Sequence, residues 1–192
     1  MATLILGLVL FLGVHSIRIV ADDWRSATIG RIGEKPWKGV YALLSIAGFV
    51  LIVWGYALAR RDPVLLWQPP TAMRHIAGLL MLAAFVLLVA TYVPRNSIKA
   101  RLHHPMVLAV KIWAVAHLLA NGGLADVVLF GAFLVWAIFN FRAARQRDRQ
   151  AMTVYPAGTA GGTTITVLVG VALWIVFAFW AHGFLFGVRP FG

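Results

Sequence analysis

One apolar stretch, residues 103–122, carries most of the side chains that could do chemistry. It reads HHPMVLAVKIWAVAHLLANG and contains His104, Lys111, His117 and Asn121, whereas the other apolar stretches are nearly free of polar groups. An ionisable side chain is costly to keep inside a membrane segment, so such a residue is a candidate for function. We therefore treat this stretch as the centre of the candidate site.

The spacing of these side chains predicts two different faces on one helix. His104 and Lys111 are seven residues apart and share a face, because a helix turns by about 100° per residue. Trp113, His117 and Asn121 follow at intervals of four and share another face. The helix thus presents a basic stripe on one side and an aromatic, imidazole and amide stripe on the other. A simpler role for Lys111 is to extend its ammonium group to the lipid headgroups.

Two histidines, His15 and His117, lie inside apolar runs, four or five residues from an end. Each is either a structural imidazole bonded to a neighbouring helix or a neutral ligand of a metal or a haem. They lie on opposite sides of their helix midpoints, so their α-carbons differ in depth by about 12 Å at ~1.5 Å per residue. An iron atom between two imidazoles needs roughly 13 Å between α-carbons. The geometry permits a tilted haem clamped by adjacent helices, without requiring one.

The remaining polar candidates admit simpler roles. His75 and His182 lie near helix ends, where interfacial histidines are common, and His103 beside a basic loop is expected to be solvated. Asp126, at the start of an apolar run, either orients a ligand imidazole or caps its helix. Capping is the preferred interpretation.

Composition places these residues in a membrane protein. The chain has 192 residues, 61% of them hydrophobic and 12% charged, which is too apolar for a soluble domain. Backbone in lipid must satisfy its own hydrogen bonds, which favours an all-α, polytopic helical bundle. The sequence predicts one membrane domain over residues 1–192. The chain has no cysteine, so disulfides, iron–sulfur clusters and thiolate ligation are excluded.

Six apolar runs predict about six transmembrane helices, because each approaches the ~20 residues that a bilayer core demands. The runs are residues 2–20, 39–59, 72–93, 105–120, 124–141 and 163–186. Pro105 suits the first turn of the fourth helix, where its missing N–H costs nothing. An Asn121-Gly122-Gly123 turn separates the fourth helix from the fifth. The longest connector, residues 142–162, is basic and then rich in Gly and Thr, and is predicted to be mobile.

The net charge of +11 predicts orientation in a membrane and not nucleic-acid binding, because the basic residues fall in short connectors. Twelve of the 17 Lys and Arg residues fall on one side of a six-helix topology and four on the other, with Lys111 inside a helix. The twelve are Arg18, Arg25, Arg31, Lys35, Lys38, Arg95, Lys99, Arg101, Arg142, Arg145, Arg147 and Arg149. This asymmetry predicts that both termini are periplasmic. The lack of cysteine is compatible with a bacterial inner membrane.

Four motifs resemble the NnrU family, and together they extend over nearly the whole chain. They are residues 10–18 (LFLGVHSIR), 104–106 (HPM), 111–122 (KIWAVAHLLANG) and 182–190 (HGFLFGVRP). The resemblance implies a bacterial inner-membrane protein linked to denitrification, that is, to nitrite and nitric oxide reductase function. His15, Arg18, His104, Lys111, His117, Asn121 and His182 all fall on these motifs.

The resemblance also implies a haem b cofactor. The same domain occurs in plant zeta-carotene isomerase, a haem b enzyme with two histidine ligands, and the matching residues here are His15 and His117. The plant enzyme has a cysteine three residues before its second histidine, where this chain has Ala114. A mechanism that needs a thiolate as an exchangeable ligand is therefore not expected.

Two function classes follow. The first is a haem b-binding protein that acts in nitrogen-oxide redox metabolism or isomerises a lipophilic polyene, with membrane lipid, a lipophilic substrate or a membrane redox partner as its contacts. The alternative is a non-catalytic assembly or accessory factor whose histidines are structural.

The charge asymmetry gives a direct test of topology. Reporter fusions placed after Arg147 and at the C-terminus are expected to report opposite sides of the membrane, with the Arg147 fusion cytoplasmic. Two fusions that both report the cytoplasm would contradict the six-helix arrangement.

Overall fold

The computed structural model describes residues 1–191 and is the all-α bundle that the sequence predicts. Over these residues the chain forms nine α-helices. They are α1 (Ala2–Val20), α2 (Asp22–Ile32), α3 (Glu34–Ala59), α4 (Ala72–Tyr92), α5 (Ser97–Leu102), α6 (Pro105–Ala120), α7 (Leu124–Gln150), α8 (Ala160–Val176) and α9 (His182–Phe186). A π-helical segment, Phe177–Ala181, joins α8 to α9.

Six apolar segments make up the bundle, which agrees with the predicted number. The segments α1, α3, α4, α7 and the continuous Ala160–Phe186 are each long and apolar enough to cross a membrane. The sixth, α6, has only 16 residues and so extends about 24 Å at ~1.5 Å per residue. The helix that carries His117 is therefore the shortest of the six.

The helices pack side by side in the order α3, α1, α7, α6, α4, α8. Both termini lie at one end of the bundle, where Gly55 near the end of α3 meets Leu4 and the Arg60 guanidinium donates to the Phe186 carbonyl at 3.2 Å. We call this the terminal end. The opposite end holds α2, α5 and the connector between α7 and α8, and we call it the basic end because most of the Lys and Arg residues lie there.

Close packing of α1 against α3 depends on glycine. A Cβ added at Gly48 would lie 2.8 Å from the Phe11 nitrogen, and one added at Gly55 would lie 2.3 Å from the Leu4 nitrogen. The seven-residue spacing of these two glycines predicts such a contact, because helices in lipid associate where small residues let their backbones approach. The structure confirms it.

The connector between the fifth and sixth apolar helices differs from the sequence prediction. The prediction ends the fifth apolar helix at Phe141, but α7 continues to Gln150, because Ala, Arg and Gln are good helix formers once the chain has left the lipid. The predicted mobile connector of residues 142–162 is therefore wrong over its first half. Its second half is held at Thr159, whose N–H donates to the Arg95 carbonyl at 2.7 Å and whose hydroxyl accepts from the Gly162 N–H at 3.1 Å.

The α1–α3 contact can be tested by adding one methyl group. Gly55→Ala is expected to lower the free energy of unfolding by about 1–3 kcal/mol, because the new Cβ overlaps the α1 backbone. Thermal unfolding in detergent, followed by circular dichroism, measures the effect.

Gly13→Ala on the same pair of helices is the matched control, since its added Cβ meets no heavy atom within 4 Å. The control is expected to be neutral or slightly stabilising, because Ala is the better helix former by ~1 kcal/mol. Equal losses in both variants would contradict the packing argument.

Candidate functional site

A cavity of about 220 Å³ opens at the terminal end between α4, α6, α8 and the C-terminal residues. Its polar lining consists of two imidazoles, two guanidiniums and one amide. The polar residues are His117, His182, Arg74, Arg189 and Asn121, and the walls are otherwise mostly apolar, with Phe85, Trp174, Phe177 and Phe191 among them. We call this the terminal cavity.

His117 is held rigidly on the wall of the terminal cavity. Its Nδ1 lies 2.9 Å from the Trp113 carbonyl oxygen, and its ring stacks on Phe130 with centroids 4.5 Å apart. A carbonyl oxygen only accepts, so Nδ1 carries the proton and Nε2 keeps its lone pair. Asn121 lies one turn further on, and its amide donates to the His117 carbonyl at 2.9 Å. The predicted stripe of Trp113, His117 and Asn121 is therefore present on one face.

His182 reaches the same cavity because the chain turns back after α9. Gly187 adopts φ +70°, a left-handed conformation that glycine tolerates without strain, and the chain then reverses over α4. The reversal brings the Val188 carbonyl within 2.6 Å of His182 Nδ1 and Phe191 onto Gly78. Nδ1 of His182 is thus also the protonated nitrogen, and both cavity histidines are the same tautomer.

His15 lies in a second cavity, of about 290 Å³, at the basic end. Its Nδ1 donates to the Phe11 carbonyl at 2.7 Å, and its ring stacks on Phe11 with centroids 4.2 Å apart. Arg18, one turn further along α1, lines the same cavity, and its carbonyl accepts from the Arg147 guanidinium at 3.0 Å. We call this the basic cavity.

A chain of aromatic rings connects His15 to His117 across the bundle. Phe11 lies 5.8 Å from Phe133, Phe133 lies 5.4 Å from Trp113, and Trp113 lies 5.4 Å from His117, measured between ring centroids. The structure therefore brings His117 together with His182 and separates it from His15. The assignment of His15 and His117 to a single haem stays a prediction.

The donor set of the terminal cavity fits a haem b. The group needs imidazole nitrogens for iron, apolar walls for the macrocycle and cations for two propionates. His117 and His182 offer the imidazole nitrogens, and the aromatic side chains offer the apolar walls. Arg74 and Arg189 offer the cations. Over residues 1–191 no group of three or more His, Cys, Asp or Glu side chains could hold a bare metal ion.

Lys111 of α6 and His104, the residue just before α6, lie on a different face from His117, as the seven-residue spacing predicts. His104 Nε2 lies 2.8 Å from Asp148 Oδ2, and Lys111 Nζ lies 5.1 Å from the centroid of the Phe141 ring. Both partners belong to α7, and neither His104 nor Lys111 lines the terminal cavity. The two faces of α6 are therefore separate.

Sequence reasoning missed a polar cluster at the basic end. His103, expected to be solvated, packs against Tyr155 with ring centroids 4.1 Å apart and contacts the Arg145 guanidinium. The Tyr155 hydroxyl donates to Asp148 at 3.0 Å, and burial together with this bond raises the pKa of Tyr155 to about 12. Only the spacing of Arg145 and Asp148, one turn apart, could have signalled the cluster, because its partners come from three distant segments.

Asp126 caps its helix, as preferred from the sequence. Its Oδ2 accepts from the Gly123 N–H at 3.0 Å, and its Oδ1 accepts from the Tyr56 hydroxyl. The second bond fastens the start of α7 to α3. Asp126 makes no hydrogen bond to His117 or to His182 in the part of the chain that the structure describes, so it does not orient a ligand imidazole.

No curated protein and no solved structure matches the chain. The family described as "NnrU protein" matches residues 3–190. Because this match covers almost the whole of the 192 residues, the chain belongs to the NnrU family.

Proposed function

We propose that this protein binds haem b in the terminal cavity and serves nitrogen-oxide redox metabolism in a bacterial inner membrane. The observation that carries the proposal is the pairing of His117 and His182 in one cavity, each with Nδ1 bonded to a backbone carbonyl. Both Nε2 atoms are then available as ligands.

The carbonyl bonds matter because an imidazole ligand works best when its other nitrogen is anchored. Donation from Nδ1 fixes the tautomer and the ring orientation and makes Nε2 a stronger donor. Packing adds to this effect, since Phe130 stacks on His117 and the Phe177 ring lies 5.8 Å from His182, edge to face. Each of the two imidazole rings is therefore held in place by its own contacts.

The rest of the cavity suits the periphery of the same group. Arg74 at the start of α4 and Arg189 in the C-terminal segment stand at the outer end, where propionates would meet the headgroup region. Trp174 is fixed by a 3.0 Å hydrogen bond from Nε1 to the Gly78 carbonyl and gives a rigid apolar wall. These residues bind and orient the group and exclude water from its apolar part.

Haem b would supply one-electron chemistry, which is the chemistry that nitrogen-oxide metabolism uses. The isomerisation of a polyene is the weaker candidate. Ala114, which stands where the plant isomerase has cysteine, is fully buried in the core and offers no exchangeable ligand. We further propose that the terminal end faces the periplasm, because the basic end carries the excess of Lys and Arg.

An absorption spectrum of protein purified from haem-replete cells tests the proposal. The wild type is expected to show a Soret band and a reducible b-type spectrum. His117→Ala is expected to remove most of the bound haem, and His182→Ala to remove it or convert it to a high-spin form, because each loses one ligand.

His15→Ala is the matched control, since it removes an imidazole of the same tautomer in the other cavity. It is expected to keep the wild-type spectrum. Loss of the spectrum in His15→Ala with retention in His182→Ala would show that His15 and His117 are the pair. A colourless wild type would contradict haem binding and favour the accessory factor.

A further inference from the structure

We infer that the basic cavity binds the phosphate group of an anionic phospholipid. This cavity lies outside the proposed haem site and does not depend on it. It is formed by the last two turns of α1, by α2 and by the first two turns of α3. Its charged lining consists of Arg18, Arg25, Lys38 and Glu34.

The cations of the cavity exceed the carboxylates that contact them. Arg18 and Arg25 share one carboxylate, Asp22, at 3.9 and 3.7 Å, which is longer than a direct charge-assisted hydrogen bond of about 2.8 Å. Lys38 pairs with Glu34 at 2.8 Å. Because the two guanidiniums share one distant carboxylate, most of their N–H groups remain available. The planar array of N–H donors in a guanidinium matches the oxygens of a phosphate group.

A fourth cation approaches from another helix. Arg147 near the end of α7 donates to the Arg18 carbonyl at 3.0 Å, which places its guanidinium beside the same turn of α1. The resulting local charge comes from Arg18, Arg25, Lys38 and Arg147 against three carboxylates, Asp22, Glu34 and Asp148, the last of which acts on Arg147. Holding four cations together is unfavourable unless an anion joins them, and a phosphodiester supplies one negative charge at this position.

The surroundings of the cavity are those of the lipid headgroup layer. Trp24 of α2 and Trp37 of α3 pack edge to face with centroids 5.9 Å apart, and tryptophan is enriched at that level of a bilayer. One turn deeper than Tyr41, which lines the cavity, α3 exposes Leu44. An acyl chain attached to a bound headgroup would therefore meet apolar surface, which favours a lipid over a soluble phosphate.

His15 and Tyr41 complete the cavity with polar groups. Their ring centroids are 5.2 Å apart, and His15 Nδ1 is already bonded to the Phe11 carbonyl. Because both residues line the cavity, the remaining imidazole nitrogen and the tyrosine hydroxyl would supply hydrogen-bonding groups for the glycerol part of a lipid. This gives His15 a role that does not require iron.

The test uses the full-length protein and native mass spectrometry in the presence of phosphatidylglycerol or phosphatidylcholine. The wild type is expected to retain phosphatidylglycerol in preference to phosphatidylcholine. The double variant Arg25→Gln/Lys38→Gln is expected to lose about tenfold or more in affinity for phosphatidylglycerol, because it removes two charges from the cavity.

The matched control is Arg31→Gln/Lys35→Gln. It removes the same charge from the same segment, but neither Arg31 nor Lys35 lines the cavity. The control is expected to change the affinity less than twofold. Equal losses in the two double variants would overturn the proposal, because they would show general attraction to a basic surface.

Two further measurements complete the test. Thermal unfolding checks that both double variants fold. If Arg25→Gln/Lys38→Gln does not fold, the single variant Arg25→Gln replaces it. Competition with glycerol phosphate separates the two sources of phosphate. If glycerol phosphate displaces the lipid at equal concentration, or if the wild type does not prefer phosphatidylglycerol, the cavity is not a lipid site.

Discussion

The structure depends on backbone contact at small residues, because lipid removes the usual reason for helices to associate. Apolar side chains gain little by leaving a hydrocarbon solvent, so dispersion at close range has to hold the bundle together. Gly48 and Gly55 supply this contact between α1 and α3. Gly170 supplies it between α8 and α4, where an added Cβ would lie 2.7 Å from the Val86 α-carbon. The outer helices on both sides of the bundle are thus attached in the same way.

This mode of packing explains why the polar groups collect at the two ends. Where the helices pack closely there is no room for a ligand, and the core consists of aliphatic and aromatic residues such as Leu8, Ala114 and Phe130. Toward each end the helices part and loops replace them. The terminal cavity forms where the C-terminal segment covers this gap, and the basic cavity forms where α2 covers it. A shared architecture therefore produces two sites of different chemistry.

Local signals in the sequence predicted the elements well and the long-range contacts poorly. The bounds of α6 follow from Pro105 and the Asn121-Gly122-Gly123 turn, and Gly122 is required there because an added Cβ would overlap the Trp67 carbonyl. The faces of α6 follow from helical periodicity alone. In contrast, nothing near His182 signals that Gly187 turns the chain back toward His117. The cluster around Asp148 was missed for the same reason, since it joins residues separated by more than forty positions.

The short length of α6 has a consequence for the membrane itself. The helix α6 is about 24 Å long, some 6 Å less than the hydrocarbon thickness of an ordinary bilayer. Its neighbours α4 and α7 are longer, at 21 and 27 residues. Such a hydrophobic mismatch is relieved by local thinning of the bilayer or by water that follows the polar helix end inward. Because His117 lies in the last turn of α6, the mismatch shortens the distance between its imidazole and the aqueous phase. A small polar molecule could then reach the centre of the terminal cavity without crossing the full depth of the lipid.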